Sequence, residues 1–326
     1  MVISRTPFRM SFFGGGTDYR EYYEKYGGSV ISATFDKYCF VTVRDYPPFF
    51  SYKNQLTYSK IERFNSPDEV SHPLVRETMK YLDENALQIG YDSDLPARTG
   101  IGSSSSFAVG LLNSIHTLRG GRPNAYTLAQ EAIFIERERC AELGGVQDQI
   151  AAAYGGFNRI DFSADGFTVR PVNIPSDRLE NLNAKLMLFF SGTSRISSDI
   201  SKEQSANLNK NIDTLWDMRG LTDEAEKILL SSSCSLDRFG ELLDVTWQLK
   251  QKLASNISTD EVNGIYAAAK ESGAVGGKLL GAGGGGFLLL YVPEEKQADV
   301  RKALGKYMYV PFSFEHEGSK IIYAQK

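Results

Sequence analysis

A chain of 326 residues, 42% hydrophobic and 12% aromatic, can bury a sizeable core and fills one large domain or two ordinary ones; it is not a disordered composition. Its net charge of −4 and lack of a long basic run argue against a nucleic-acid surface, and no run reaches the ~18 uncharged apolar residues of a membrane span. The opening MVISRTPFRM has no signal-peptide core, Cys39, Cys140 and Cys234 are scattered, and the three histidines are isolated, so a reducing cytoplasm is expected without a disulfide framework or structural zinc.

In chain order, Arg9 comes first, inside the apolar run FRMSFF. A charge there is costly unless it is paired, functional or turned to solvent on an edge strand, and periodicity does not decide among these. SFFGGGTDY follows at 11–19, where Asp18 reads as a turn former or cap. SVISATFDKYCFVTVRDY carries β-branched and aromatic residues in strand-like runs. Leu74, Met79, Leu82 and Leu87 predict a helix over roughly 73–89.

DLPARTGIGSSSSF, residues 94–107, has the composition of a linker, but it runs directly into a strongly periodic segment. Phe107, Leu111, Ile115 and Leu118 recur at +4, +4 and +3, the stripe of an amphipathic helix that Gly120 and Gly121 end. The serines therefore stand where unpaired N–H groups and a partial positive charge collect, and glycines at 100 and 102 permit close backbone approach to a phosphate. An N-cap needs one serine, not four with two glycines. No G-K-[ST] closes the segment, so it is not a Walker A loop.

A further helix is expected over about 126–140. Ala129, Ala132, Glu136 and Cys140 share one stripe of it, which makes Glu136 either a satisfied buried acid or a metal ligand. Asp148 in GGVQDQIAAAYGG stands at a helix start, ordinarily a cap or dipole effect, among small residues that suggest tight packing. Strand patterns return in GGFNRIDF and GFTVRPVNI, and a break is expected near 175–183. Beyond it come the strand KLMLFFSG, a long helical region over about 195–271, GAVGGKLLGAGGGGFLLLYV, one more helix and two closing strands. Gly281, Gly283 and Gly286 formally fit G-x-G-x-x-G, but they run into a strand rather than a helix, which excludes a dinucleotide fingerprint. They form either a loop needing positive φ or one that leaves room for a ligand. Alternating strands and helices give an α+β class without a 20–50-residue repeat.

Together these parts suit phosphoryl transfer: a helix N-terminus for phosphates, a serine and a carboxylate for Mg2+, an Asp to orient an acceptor hydroxyl, and an Arg to offset charge. TPFRMSFFGGGTDY, LPARTGIGSSSSF and GGKLLGAGGGGFLLLY stand in the order found in the GHMP kinases (galactokinase, homoserine kinase, mevalonate kinase, phosphomevalonate kinase), and VQDQ matches the galactokinase branch. The chain resembles that family over nearly its whole length. FGGGTD, DKYCFVTV, QDQIAAAYGGFN and GKLLGAGGGGFLLLY look most like the sugar-kinase branch acting on the anomeric hydroxyl of D-glycero-D-manno-heptose 7-phosphate. Fucokinase-type sugar 1-kinases share several of these motifs and are the alternative.

The resemblance implies a two-domain GHMP kinase fold. An N-terminal ATP-binding domain over 1–175 would contain a left-handed βαβ crossover, against the usual right-handed rule, and a ferredoxin-like domain would fill 176–326. It implies ATP and Mg2+, a sugar phosphate substrate and a cytoplasmic enzyme; a homodimer is left open. Gly100, Gly102, Ser103, Ser104 and Ser105 fall on the phosphate loop, Ser104 and Glu136 on the metal ligands, Asp148 on the catalytic aspartate and Arg9 on its basic partner. Asp18 falls on a sugar-binding aspartate, and Gly283 and Gly284 on the motif that shapes the active-site floor. Gly15 and Gly16 stand where galactokinases carry Glu-His, which implies a differently shaped sugar pocket. Lys37, Arg44, Arg98 and Arg195 are candidates for a sugar phosphate, Arg195 foremost because it follows a strand and precedes a helix. A sugar-binding relative that had lost catalysis would show erosion at the acid positions, yet Arg9, Glu136 and Asp148 are all present.

Overall fold

A computed structural model of the chain describes residues 1–192 and 197–325. It opens on β1 (Val2–Phe13), buried along most of its length, then α1 (Arg20–Tyr26) and the long β2 (Gly28–Asp45). β1 and β2 pair antiparallel, and their register shifts at Pro7/Phe8, where proline has no N–H to give the ladder. β3 (Asn54–Thr57), β4 (Ile61–Phe64), α2 (Pro73–Tyr81) and β5 (Leu87–Ser93) follow. β3 and β5 are parallel, so β4 and α2 form the crossover between them.

The helix expected over 73–89 thus stops at Tyr81. Asp83 and Ala86 take left-handed φ of 53° and 60°, and Leu87 opens a strand on β2 whose Leu87 and Ile89 are buried. Pairing with β2 overrides the helical spacing of Leu82 and Leu87. α3 (Ser103–Leu118) lies across β1 and β2. Its Gly110 permits the approach: a Cβ there would stand 2.9 Å from Thr6 Oγ1 and 3.1 Å from Ser4 Oγ. α4 (Ala125–Ile133) continues as a π-helical turn, Phe134–Arg139, and α5 (Gln147–Tyr154), β6 (Phe157–Ser163) and β7 (Gly166–Pro171) complete this part.

After α6 (Ser176–Lys185), β8 (Leu186–Phe190) starts a second sheet. The long helical region expected next is four helices, α7 (Ser197–Asn207), α8 (Ile212–Leu230), α9 (Asp237–Gln251) and α10 (Asp260–Glu271). The serine-rich 231–235 separates α8 from α9. β9 (Gly276–Leu279), β10 (Phe287–Tyr291), α11 (Gln297–Ala303) and β11 (Met308–Val310) close this sheet in the order β11-β8-β10-β9. That is antiparallel order 4-1-3-2, the ferredoxin-like arrangement. β12 (Phe314–Glu315) and β13 (Lys320–Ala324) then return to the first sheet, on β2 and β1. Nine strands make up that sheet, from β1–β7 plus these two, so the expected division at residue 175 is bridged by the chain's own end. No helix among the described residues is long and apolar enough to cross a membrane.

Candidate active site

The N-terminus of α3 and the glycine loop before β10 meet backbone to backbone. Gly100 and Gly102 have φ of 81° and 76°, a conformation that a Cβ disfavours. A Cβ on Gly100 would stand 2.3 Å from Leu280 O, and one on Gly281 would stand 2.3 Å from Gly100 Cα. The Phe287 N–H donates to Thr99 O at 3.2 Å. Gly281, Gly283, Gly284, Gly285 and Gly286 all take positive φ, as the first of the two readings of 281–286 expects, and Gly281 and Gly286 also allow the close contact with residues 99–100. A cavity beside them is lined by residues from both loops, Gly281, Ala282, Gly283 and Gly285 among them.

The start of α3 faces that cavity. Its N-cap is Gly102, which brings no side-chain acceptor to the first-turn N–H groups. Ser103 Oγ accepts from the Arg98 N–H at 3.3 Å. Ser104 and Ser105 donate from Oγ to Glu136 Oε1 and Oε2, each at 2.7 Å, and Gln149 Nε2 donates to Oε2 at 2.5 Å. Glu136 is 1% exposed and stands in the π-helical turn, a distortion frequent at functional sites. Hydroxyl and carboxylate oxygens are the donor set a hard divalent cation takes. Among the described residues no group of three or more His, Cys, Asp or Glu could hold a metal. An ion here would therefore lean on phosphate oxygens and water, the usual habit of Mg2+.

Arg9 turns inward from β1 and is 4% exposed, so it does not face solvent on an edge. Its Nε and Nη2 donate to Asp148 Oδ1 and Oδ2 at 2.7 and 2.6 Å, and its Nη1 donates to Gly100 O at 2.6 Å. Arg9 thereby ties β1, the Gly100 loop and the first turn of α5 together. Asp148 keeps 23% of its side chain open to the cavity.

Asp18 is more than a turn former. It is 1% exposed and accepts from the Gly16 N–H at 2.9 Å and from Gln147 N and Nε2 at 3.2 and 3.0 Å. Burial pushes its carboxyl above the usual range, with the nearby Asp148 charge acting in the same direction. Gly145 lets the chain pass this carboxylate: a Cβ there would lie 1.9 Å from Asp18 Oδ2.

Of the other sequence-predicted residues, Gly15, Gly16, Arg98 and Gly283 line the cavity. Gly16 has φ of 101°, so its place excludes most side chains by backbone conformation, whereas a Cβ on Gly15 would make only ordinary contacts. Gly284 instead donates its N–H to Ile257 O at 2.8 Å, bracing the loop. Lys37 pairs with Asp36 and Arg44 with Gln88, both away from the lining. Arg195 lies outside the described residues.

Two lysines are among the lining residues that the sequence motifs do not single out. Lys250 of α9 donates to Leu279 O at 3.0 Å and to Gly281 O. Lys278 of β9 donates to Phe12 O at 2.9 Å. Both carried a legible signal: Lys250 follows Thr246 and Trp247 on the buried stripe of α9, and Lys278 interrupts an apolar strand as Arg9 does.

The chemistry gathered here is a helix N-terminus for anions, an oxygen pair for a hard cation, and an Arg-oriented carboxylate beside them. Residues 73–156 match the model of the GHMP kinases N-terminal domain and residues 230–310 that of the GHMP kinases C-terminal domain. The chain is 30% identical to a D-glycero-alpha-D-manno-heptose 7-phosphate kinase of Campylobacter jejuni, over 98% of each chain. It is 25% identical to a bifunctional fucokinase/GDP-fucose pyrophosphorylase of Arabidopsis thaliana, over 73% of this chain and 24% of that one. The crystal structure of a D-glycero-D-manno-heptose 1-phosphate kinase from Bacteroides thetaiotaomicron superposes with a TM-score of 0.81 over 100% of both chains at 22% identity, a likeness of fold.

Proposed function

We propose, from the premise that this chain belongs to the GHMP kinases and is a sugar kinase of that family, that it transfers the γ-phosphoryl group of ATP to the anomeric hydroxyl of D-glycero-D-manno-heptose 7-phosphate, giving the 1,7-bisphosphate. The observation that carries the chemistry is the Arg9–Asp148 pair, held against Gly100 O at the mouth of the α3 N-terminus. The N–H groups of Ser103, Ser104 and Ser105, with Gly100 and Gly102, receive the nucleotide phosphates. Ser104 and Glu136 would hold Mg2+, which would supply neutralisation of charge on the phosphates. Asp148 accepts a hydrogen bond from the acceptor hydroxyl and takes its proton as the phosphoryl group passes over. Arg9 fixes the carboxylate plane and offsets developing charge. A loose transition state makes this mainly a matter of position. Asp18 accepts from sugar hydroxyls beside Gly15 and Gly16, whose missing side chains widen the pocket, and Gly283 shapes its floor.

The sugar assignment is supported by the C. jejuni relative's name and its coverage of nearly the whole chain. Similarity to the fucokinase keeps a fucokinase-like sugar 1-kinase as a second reading. A reaction followed by 31P and 13C NMR separates them. With ATP and heptose 7-phosphate, a new phosphate on C1 is expected. Equal turnover of heptose 7-phosphate, unphosphorylated heptose and fucose would overturn the heptose 7-phosphate assignment.

A further inference from the structure

Lys250 and Lys278 are buried cations for which the proposed chemistry has no use. They reach the cavity from α9 and β9, Lys250 beside the glycine loop that packs on Gly100. Lys278 is 2% exposed, and neither lysine makes an ion pair among the described residues. Each ammonium has three N–H donors. Lys278 gives one to Phe12 O and Lys250 gives two to the carbonyls of Leu279 and Gly281, which leaves donors on both aimed at no protein acceptor. The charged groups that act on them are Arg9, whose partner is Asp148, and Asp18. Arg9 and Asp148 are already spent on each other, and Asp18 is engaged by Gly16 and Gln147.

A buried cation without a counter-ion is costly, and the fold tolerates two side by side. We propose that Lys250 and Lys278 form a subsite for a phosphate group, carried by the acceptor or as the terminal phosphoryl of the nucleotide. Both sources present the same tetrahedral set of anionic oxygens, which the two lysines, charged when an anion is bound, match with three free N–H donors. The titration behaviour agrees: burial first, then the neighbouring Arg9, lowers Lys250 to about 7, and burial, Lys250 and Arg9 hold Lys278 well below the usual lysine range. A phosphate would supply the missing counter-charge. The proposal rests on the kinase reading only in taking phosphate-bearing molecules to be what enters the cavity.

The test is calorimetric binding to wild type, Lys250→Met and Lys278→Met, with ADP, the non-hydrolysable AMPPNP, heptose 7-phosphate, unphosphorylated heptose and orthophosphate as probes. Methionine keeps the length and removes the charge. Each variant is expected to weaken at least one phosphate probe by about tenfold, the scale of a lost charged hydrogen bond, while ADP binds as before. Loss on AMPPNP assigns the nucleotide's third phosphoryl; loss on heptose 7-phosphate without loss on heptose assigns the acceptor's phosphate. Equal weakening of ADP and AMPPNP would mean that the lysines only scaffold the glycine loop, and overturns the proposal. So does binding of every probe within about twofold of wild type. If wild type ignores heptose 7-phosphate, the sugar assignment fails, while the AMPPNP and orthophosphate arms still decide this one. Should neither variant fold, 15N-lysine spectra of wild type replace them: buried ammonium signals that stay fixed with every phosphate probe overturn the subsite.

Discussion

At the residue scale the site depends on charges that the fold keeps from solvent. Asp148→Asn leaves Arg9 one good acceptor and turns the other position into a donor facing a donor. Circular dichroism should show the fold retained, while kcat falls roughly 10²–10⁴-fold, the usual worth of a positioned acid or base. ADP release at the wild-type rate would remove Asp148 from the reaction. Lys250 gives a second expectation, in pH. Its folded value, about 7, lies below its usual 10.5, so between these the unfolded chain holds a proton that the native one lacks. Stability therefore rises with pH across that window, by up to about 1.4 kcal/mol per unit for one such lysine. Lys250→Met should be more stable than wild type near pH 7 and should flatten that rise. Urea midpoints at pH 7, 8 and 9 measure it, below the range where tyrosines contribute. Parallel slopes for wild type and variant would show that Lys250 titrates like a solvated lysine.

At the scale of elements, two glycine-bearing loops frame the proposed phosphate site, and their glycines are not equivalent to those in helices. Gly281→Ala drives a Cβ against Gly100 Cα, so the loop before β10 must lift from the start of α3. The KM for ATP is expected to rise about tenfold or more, with a lower melting temperature. Gly220→Ala is the control: it lies inside α8 with nothing near its Cβ, and should stabilise by about 0.5–1 kcal/mol without touching kinetics. An unchanged ATP KM in Gly281→Ala would show that the two loops are not coupled. This difference was half legible in the sequence. The stripe Phe107, Leu111, Ile115 made α3 plain, and with it the serines at its start. Glu136 is legible because it stands four residues after Ala132 on the buried stripe of α4, just inside the π-turn. Leu87 was misread because a strand paired on β2 borrowed apolar residues at helical spacing. Periodicity leaves Arg9 open, and only the family resemblance points to its partner, 139 positions away. Pairings at that separation leave no local period to read.

At the scale of the whole molecule, the chain's end holds its beginning. β13 pairs with β1, Ser319 Oγ bonds Thr6 Oγ1 at 2.8 Å, and the Ser319 N–H donates to Ala152 O at 2.9 Å. Gly155, just past α5, packs so closely on Glu317 that a Cβ would stand 2.1 Å from its carbonyl carbon. The tail thus supports both β1, which carries Arg9, and α5, which carries Asp148, although none of residues 313–325 lines the cavity. One hydrophobic core also runs through both sheets: Phe12 stacks on Phe157 at 5.3 Å and meets Phe239 of α9 edge-on at 5.4 Å. We therefore treat the division near 175 as a boundary of topology and not of stability. Calorimetry of the full chain should show one unfolding transition, with the calorimetric and van't Hoff enthalpies equal. A fragment of residues 1–175, lacking β12 and β13 and exposing Phe12, should show no cooperative melt. A chain ending at residue 312 should lose turnover together with thermal stability, because Arg9 and Asp148 are displaced with the strands and helix that the tail braces. Two resolved transitions in the full chain, or a cooperatively melting 1–175 fragment, would mean that the halves fold apart and that the returning strands are dispensable.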